Sequence, residues 1–246
     1  MQASYTWNKF YLYGSKIILF AALMIAAQTV SAQRIRYVRT NNPNYDRRKL
    51  SYGFLIGLHT STYQIKYADK FVTPAFDTVY AVQPLWSGGF ALGFIVNYKL
   101  AEFLDLRLTP DVAFYENRVR YSYTKKQPSS DQLAETVMVE FPLLLKYKSE
   151  RRGNVRMYMV GGIKPAIEAS GKKDIENSKV GLEVKGSNVS LEAGFGFDLY
   201  FPLFKFSPEI RFSRGISNIL SNTTNIYGQP ISRINTNTIT LYLLFQ

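Results

Sequence analysis

The sequence predicts an all-β protein: an eight-stranded, antiparallel, up-and-down β-barrel that spans a bacterial outer membrane and is preceded by a signal peptide. Three observations lead to this fold class. Apolar residues recur at every second position in eight segments, long and short connections alternate between those segments, and a secretory leader stands before them. Strands with this alternation turn one face toward lipid and the other into a barrel.

The N-terminal region has the features of a secretory leader. Lys9 and Lys16 precede an uninterrupted apolar core at 17–27, and Val30-Ser31-Ala32 supplies small residues at a cleavage site. Charged, apolar and small-residue regions in this order are typical of a signal peptide. A membrane anchor is disfavoured because a spanning helix needs roughly 20 apolar residues. We therefore predict that residues 1–32 are a cleaved signal peptide.

A basic segment separates the leader from the first strand. Residues 33–49 carry six arginine and lysine side chains and show no apolar period. This composition predicts a solvated, extended lead on the periplasmic side rather than a dedicated binding motif. The barrel itself is predicted for residues 50–246. An even number of strands brings both ends of the barrel to one side of the membrane, so both termini are expected in the periplasm.

Eight segments alternate as strands with one apolar face do, because successive side chains of a strand point to opposite sides. In the first, for example, Tyr52, Phe54 and Ile56 alternate with smaller or polar residues. The fifth is the least regular, since Gly161-Gly162 and Pro165 obscure which face is which. The predicted segments lie at 51–59, 89–99, 104–114, 137–148, 155–169, 189–199, 204–212 and 238–246.

The connections alternate in length along the chain. Long links are predicted at 66–85, 122–135, 170–186 and 214–235, and short ones at 100–102, 149–154 and 202–203. Outer-membrane barrels have short periplasmic turns and longer outer loops, so this order is typical of them. A soluble β-sandwich would not need the alternation.

The polar faces carry acids and bases of both signs on neighbouring strands. Eight strands enclose a space that side chains can fill, and buried charges there must be paired. We therefore expect a structural network that plugs the barrel, and favour it over an active site or an ion path. Its predicted members are Asp105, Arg107, Asp111, Glu140, Lys146, Glu192, Asp198, Glu209 and Arg211, and Lys205 shares their face.

Composition excludes several kinds of site. The chain has no Cys and a single His, which removes thiol chemistry and most zinc sites, so no catalytic residue, cofactor or metal ligand is predicted. Its formal net charge is +12, yet no nucleic-acid-binding motif is present. Lipopolysaccharide phosphates and acidic proteins are the favoured counterparts of the basic surface. The 18 Tyr residues suit membrane–water interfaces.

Four stretches resemble a known family. Asn42-Pro43-Asn44-Tyr45-Asp46 and the following 52–58, together with 139–147 and 161–165, are similar to PorT-type barrels of Bacteroidetes-type bacteria. The resemblance spans roughly residues 40 to 246. It implies a non-enzymatic accessory or assembly role in protein secretion by the type IX (Por) system, with other secretion-system proteins as partners. Insertion would use the barrel-assembly machinery, and the family has no assigned catalytic residues.

Two other functions stay open. One is a small structural or adhesin barrel of the OmpX type. The other is a lipid A-modifying hydrolase, because His59-Thr60-Ser61 has the His-x-Ser spacing in which a histidine base could activate a serine nucleophile. The alternation places His59 on the inner face together with Gly53 and Gly57, away from a lipid substrate. Interior polar residues are therefore the favoured interpretation of this pair.

Overall fold

The structure is a computed structural model that describes residues 41–72, 79–123, 130–169, 184–221 and 228–246. These residues belong to one compact unit, Arg39–Gln246. The predicted signal peptide and residues 33–40 of the predicted lead lie outside the described residues. In the described ranges no helix is long and apolar enough to cross a membrane.

Eleven strands are present in the described part of the chain, with two short 3-10 helices at Tyr45–Arg47 and Asp69–Val72. Each of three pairs of consecutive strands forms one wall segment, interrupted at Trp86, at Thr109-Pro110 or at Phe141-Pro142. Proline has no N–H to donate, which accounts for two of the interruptions. The strands are β1 (Leu50–Tyr67), β2 (Val79–Leu85), β3 (Ser87–Lys99), β4 (Leu104–Leu108), β5 (Asp111–Tyr123), β6 (Ser130–Glu140), β7 (Leu143–Lys148), β8 (Val155–Glu168), β9 (Ser187–Tyr200), β10 (Lys205–Gly215) and β11 (Ile231–Phe245).

The resulting eight wall segments close into a ring of antiparallel neighbours. Consecutive segments pair with one another around the sheet. The first and last strands complete the ring, with a register that runs from Phe54 opposite Phe245 to Tyr67 opposite Ile231. The predicted eight-stranded antiparallel barrel is therefore confirmed.

The alternation predicted from sequence matches the two faces of the wall. Phe94 is 69% exposed and its neighbour Ile95 is fully buried. The fifth segment resolves in the same way, because Met157 and Met159 face outward and Tyr158 faces inward on β8. Large apolar side chains thus form an outer belt around the barrel.

All the short connections lie at one end of the barrel, which we call the short-turn end. Strands β3 and β4, β7 and β8, and β9 and β10 are joined there. Gly153 adopts a φ of 64° in the second connection, a backbone conformation that glycine allows without strain. The opposite end is called the long-loop end.

Several strands extend further toward the long-loop end than the sequence predicts. Val79–Leu85 is a strand where a long link was expected, and β6 and β11 begin at Ser130 and Ile231, inside the predicted links. The reason is a cluster of buried apolar side chains that fills this end of the barrel: Tyr63, Val82, Val119, Tyr121, Ile219, Leu220, Ile231 and Ile234. We call it the apolar cap. The remaining parts of the four predicted loops include residues 73–78, 124–129, 170–183 and 222–227, which lie outside the described residues.

Candidate functional site

The barrel interior nearest the short-turn end holds ion pairs between different strands. The Nζ of Lys148 lies 2.6 Å from Asp105 Oδ1, and the Nζ of Lys146 lies 2.7 Å from Asp198 Oδ2. The hydroxyl of Ser207 also donates to Asp198, at 2.7 Å. Each carboxylate is therefore compensated by a neighbouring ammonium group, as a buried charge requires.

Two arginines and two glutamates occupy the middle of the barrel. Arg107 Nη1 donates to Glu209 Oε2 at 2.6 Å, and its Nε donates to Asn97 Oδ1 at 2.7 Å. Glu209 also accepts from Arg211, whose Nη1 lies 3.4 Å from Glu192 Oε2. The side chains of both arginines and both glutamates are fully buried. One carboxylate thus joins two guanidinium groups from different walls.

A third group lies toward the long-loop end. Lys164 Nζ is 2.8 Å from Glu140 Oε2, and the hydroxyl of Tyr115 donates to Glu140 Oε1 at 2.8 Å. The hydroxyl of Tyr242 donates to Asp111 Oδ2 at 3.4 Å. Together the three groups fill the cross-section with side chains along much of the barrel.

The structure buries all nine predicted interior residues. Ion pairs join eight of them to a partner, and Asp111 has the tyrosine hydroxyl as its described polar contact. Sequence reasoning missed Lys164, the partner of Glu140, because Gly161-Gly162 and Pro165 hid the phase of the fifth segment. Counting in twos from Arg156, which is buried on the same strand, would have placed it inside.

A cavity of about 50 Å³ separates the third group from the apolar cap. Most of its surface is apolar, but polar side chains also line it, among them Ser61, Asn117, Thr136, Lys164, Ser190 and Thr238. Each buried water needs roughly 10–15 Å³ and two or more polar partners, so the space suits a few water molecules.

His59 and Ser61 both lie inside the barrel. The His59 ring packs 4.3 Å from the ring of Tyr115, and Gly89 leaves room for it, since a Cβ there would lie 2.3 Å from His59 Nε2. The hydroxyl of Ser61 donates to Asn117 Oδ1 at 2.9 Å. The two side chains therefore have separate partners and face away from the outer belt.

The end of the basic lead closes the short-turn end. Asn41 and Asn42 donate through their side-chain amides to the carbonyls of Tyr200 and Phe201, at 2.9 and 2.8 Å. Asp46 accepts from Arg156 Nη1 and from the hydroxyl of Tyr200, both at 3.0 Å. The interpretation as a solvated tether is therefore wrong for these residues, because carbonyls and cations at the barrel rim bind them. On which side of the membrane they lie stays a prediction.

Asp46→Asn is expected to release this segment. The substitution removes the charge that faces Arg156 and weakens charge-assisted hydrogen bonds worth about 1.5 kcal/mol or more. Trypsin should then cleave at the exposed Arg47 and Arg48 about tenfold faster, while the barrel stays folded. Glu150→Gln, at an exposed acid of the same end, is the control and should leave the rate unchanged. An equal rate in wild type and Asp46→Asn would show that Asp46 does not hold the segment.

In the described ranges, no group of three or more His, Cys, Asp or Glu side chains is placed to hold a metal ion.

A family model described as "Outer membrane protein beta-barrel domain" matches residues 27–221. Similar solved structures include OprG from Pseudomonas aeruginosa, with 13% identity, a TM-score of 0.43, and coverage of 78% of this chain and 94% of that chain. Neisserial surface protein A has 14% identity, a TM-score of 0.39, and coverage of 80% of this chain and 98% of that chain. Ail, the attachment invasion locus protein of Yersinia pestis, has 13% identity, a TM-score of 0.30, and coverage of 79% of this chain and 96% of that chain. No curated protein matches the chain.

Proposed function

Because this chain belongs to the outer membrane protein β-barrel domain family, we propose that it is a non-conducting, non-enzymatic barrel that presents binding surfaces at the cell surface. This is the role of a small structural or adhesin barrel of the OmpX type. The observation that carries the proposal is the filled interior, in which buried ion pairs, the apolar cap and the segment 41–48 occupy successive levels.

The interior charges support a structural role rather than a pathway. Removal of one partner from a buried ion pair costs about 3–5 kcal/mol, so stability alone accounts for the pairing. The bridging carboxylate of Glu209 lies between Arg107 and Arg211 with no exposed side-chain surface. An ion moving along the barrel would have to separate these pairs.

The orientation belongs to the same proposal. Short turns of outer-membrane barrels face the periplasm and longer loops face outward. The short-turn end, with the C-terminus and the docked segment 41–48, is accordingly assigned to the periplasm. The long-loop end and the outer side of the apolar cap then lie at the cell surface.

Conductance measurement tests the central claim. Purified protein in planar bilayers is expected to give no stable, large single-channel steps, because the interior pairs block the lumen. A porin inserted under the same conditions serves as the positive control. Stable steps from monodisperse wild-type protein would contradict the proposal.

A role in type IX secretion is the second candidate. Its support is the resemblance to PorT-type barrels and the exposed run Arg47-Arg48-Lys49 at the end of the docked segment, which could bind an acidic periplasmic protein. Deletion of the gene separates the two candidates. Secretion substrates trapped in the periplasm would favour the secretion role, and normal export with weakened cell attachment would favour the surface role.

Lipid A hydrolysis is the least favoured function. The inward positions of His59 and Ser61, and the bond from Ser61 to Asn117, argue against it. Expression of the protein should leave lipid A mass spectra unchanged. Loss of acyl chains that Ser61→Ala abolishes would restore this candidate.

A further inference from the structure

Three basic side chains lie close together on the outside of the barrel toward the long-loop end. Lys66, Arg214 and Arg233 are exposed on the neighbouring strands β1, β10 and β11, and we call them the cationic patch. Arg214 Nη2 donates to Gln64 Oε1 at 3.2 Å, across the strand between them. Arg233 Nη2 donates to the carbonyl of Ile216 at 2.7 Å.

The charges of the patch are not neutralised within the part of the chain that the structure describes. Lys66 stands directly opposite Arg233 in the antiparallel register. Like charges in this position destabilise a pair of strands. The described hydrogen-bond acceptors of Arg214 and Arg233 are neutral oxygens. The positive charge of the patch therefore remains available to an anion.

On the opposite side of the barrel, outward-facing arginines are neutralised by nearby acids. Arg118 and Arg120 face outward on β5, and each pairs with a nearby acid: Glu116 on the same strand for the first and Asp131 on the adjacent strand β6, at 2.7 Å, for the second. Two outward arginines at a similar level are thus neutralised by the protein itself. The cationic patch lacks this compensation in the described residues, which makes it distinct on the barrel surface.

The patch adjoins the apolar belt. Arg214 follows the outward-facing Phe212 by two residues, about 7 Å along the strand. Phe212 is 46% exposed and lies opposite Ile239. A lipid whose acyl chains cover these side chains would bring its headgroup to the level of the patch.

The cations are spread along the strands. Arg233 lies opposite Lys66, and Asn237 lies opposite Arg214, so the backbone positions at the two ends of the patch are separated by four residues, about 13 Å along the strand. Three cations spread over this length suit a headgroup that carries more than one phosphate. A headgroup that carries two phosphates at separate positions can reach both.

We propose that the cationic patch binds the phosphates of a bis-phosphorylated glycolipid in the outer leaflet, with the acyl chains lying on the apolar belt at Phe212 and Ile239. The proposal rests on the orientation given above, in which the long-loop end faces outward. Arg214 contacts one phosphate, and Lys66 and Arg233 share the other. Binding relieves the repulsion between the opposed cations.

Lipid binding to purified protein tests the site. The probe is bis-phosphorylated lipid A in mixed detergent micelles, compared with the same lipid after enzymatic removal of its phosphates and with phosphatidylglycerol. The triple variant Lys66→Gln, Arg214→Gln, Arg233→Gln should bind lipid A roughly 100-fold more weakly, since each basic residue at an anionic membrane surface contributes about fivefold to the affinity. Wild type should bind the dephosphorylated lipid as weakly as the triple variant binds lipid A.

The matched control is Arg118→Gln, Arg120→Gln, which removes two outward arginines from the opposite wall and should leave the affinity unchanged. Equal losses in both variants, or equal affinity for lipid A and phosphatidylglycerol, would overturn the site. The gel mobility shift on heating, characteristic of folded barrels, verifies that each variant is folded.

A single introduced cysteine tests the orientation of the barrel independently of lipid binding. The chain has no cysteine, so Lys66→Cys introduces a unique label position. A membrane-impermeant maleimide should label it on intact cells. Labelling only after cell disruption would overturn both the orientation and the outer-leaflet site. Channel activity, by contrast, would refute the proposed function and leave the lipid measurement intact.

Discussion

Glu209→Ala is expected to destabilise the barrel by about 3–5 kcal/mol, the largest effect of any single ion-pair substitution in the interior. Glu209 is the carboxylate that contacts both Arg107 and Arg211. Its loss leaves Arg107 with the side chain of Asn97 as a hydrogen-bond acceptor and leaves Arg211 with Glu192 at 3.4 Å. Two guanidinium groups would then be buried with a single nearby carboxylate, and the free energy of unfolding would fall accordingly.

Reversible urea unfolding in lipid vesicles measures this effect. Glu150→Ala, at an exposed acid of the short-turn end, is the control and should change the free energy of unfolding by less than about 0.5 kcal/mol. Glu209→Gln keeps a hydrogen-bond acceptor without the charge and should lie between wild type and Glu209→Ala. If both Glu209 variants unfolded like wild type, the interior network would not stabilise the barrel.

The second large effect concerns two adjacent glycines on β8. A Cβ on Gly162 would lie 2.0 Å from the backbone carbonyl oxygen of Leu143, whereas the nearest atom to a Cβ on Gly161 is 3.9 Å away. Gly162→Ala therefore requires β7 and β8 to move apart and should cost about 3 kcal/mol. Gly161→Ala makes only an ordinary van der Waals contact and should be neutral or slightly stabilising, by about 0.5 kcal/mol.

The pair forms its own control, because both substitutions add one methyl group to neighbouring residues of the same strand. Unfolding in urea and the recovery of folded barrel after refolding should separate them clearly. Equal stabilities of Gly161→Ala and Gly162→Ala would show that the close approach of β7 to β8 is not required for the fold.

The walls of the barrel could be predicted because alternation identifies strands directly. The same alternation continues beyond the predicted strands, where Arg118 and Arg120 alternate with Val119 and Tyr121. There the apolar residues face inward and the arginines face outward, the reverse of the arrangement in the belt. Periodicity defines two faces but does not tell which one is inside, so the predicted third strand ends at 114, before this reversed alternation.

The partners within the interior could not be predicted for a different reason. Arg107 pairs with Glu209, 102 residues away in sequence. Such a pair depends on the register and tilt of every wall segment between the two residues. The docking of Asp46 onto Arg156 and Tyr200 depends on the same geometry. Sequence patterns therefore identify many of the buried charges without their pairing.

The resemblance to known families predicted the outer-membrane β-barrel, but its finer part, the PorT relationship, is not tested by the family match. An outer-membrane β-barrel follows from the family match over residues 27–221. The PorT relationship and the type IX secretion role depend on short motifs, and they stay predictions that gene deletion can test.

The attachment of the N-terminal segment also has a consequence for the order of folding. Asn41 binds the carbonyl of Tyr200, which lies 159 residues later in the chain. Contacts between residues so distant in sequence form late, because a long loop must close before they gain any stabilisation. Residues 41–48 are therefore docked only after β9 has taken its place in the wall. A barrel in which β9 has not yet joined the wall leaves this segment undocked, and docking of the segment shows that β9 is in place.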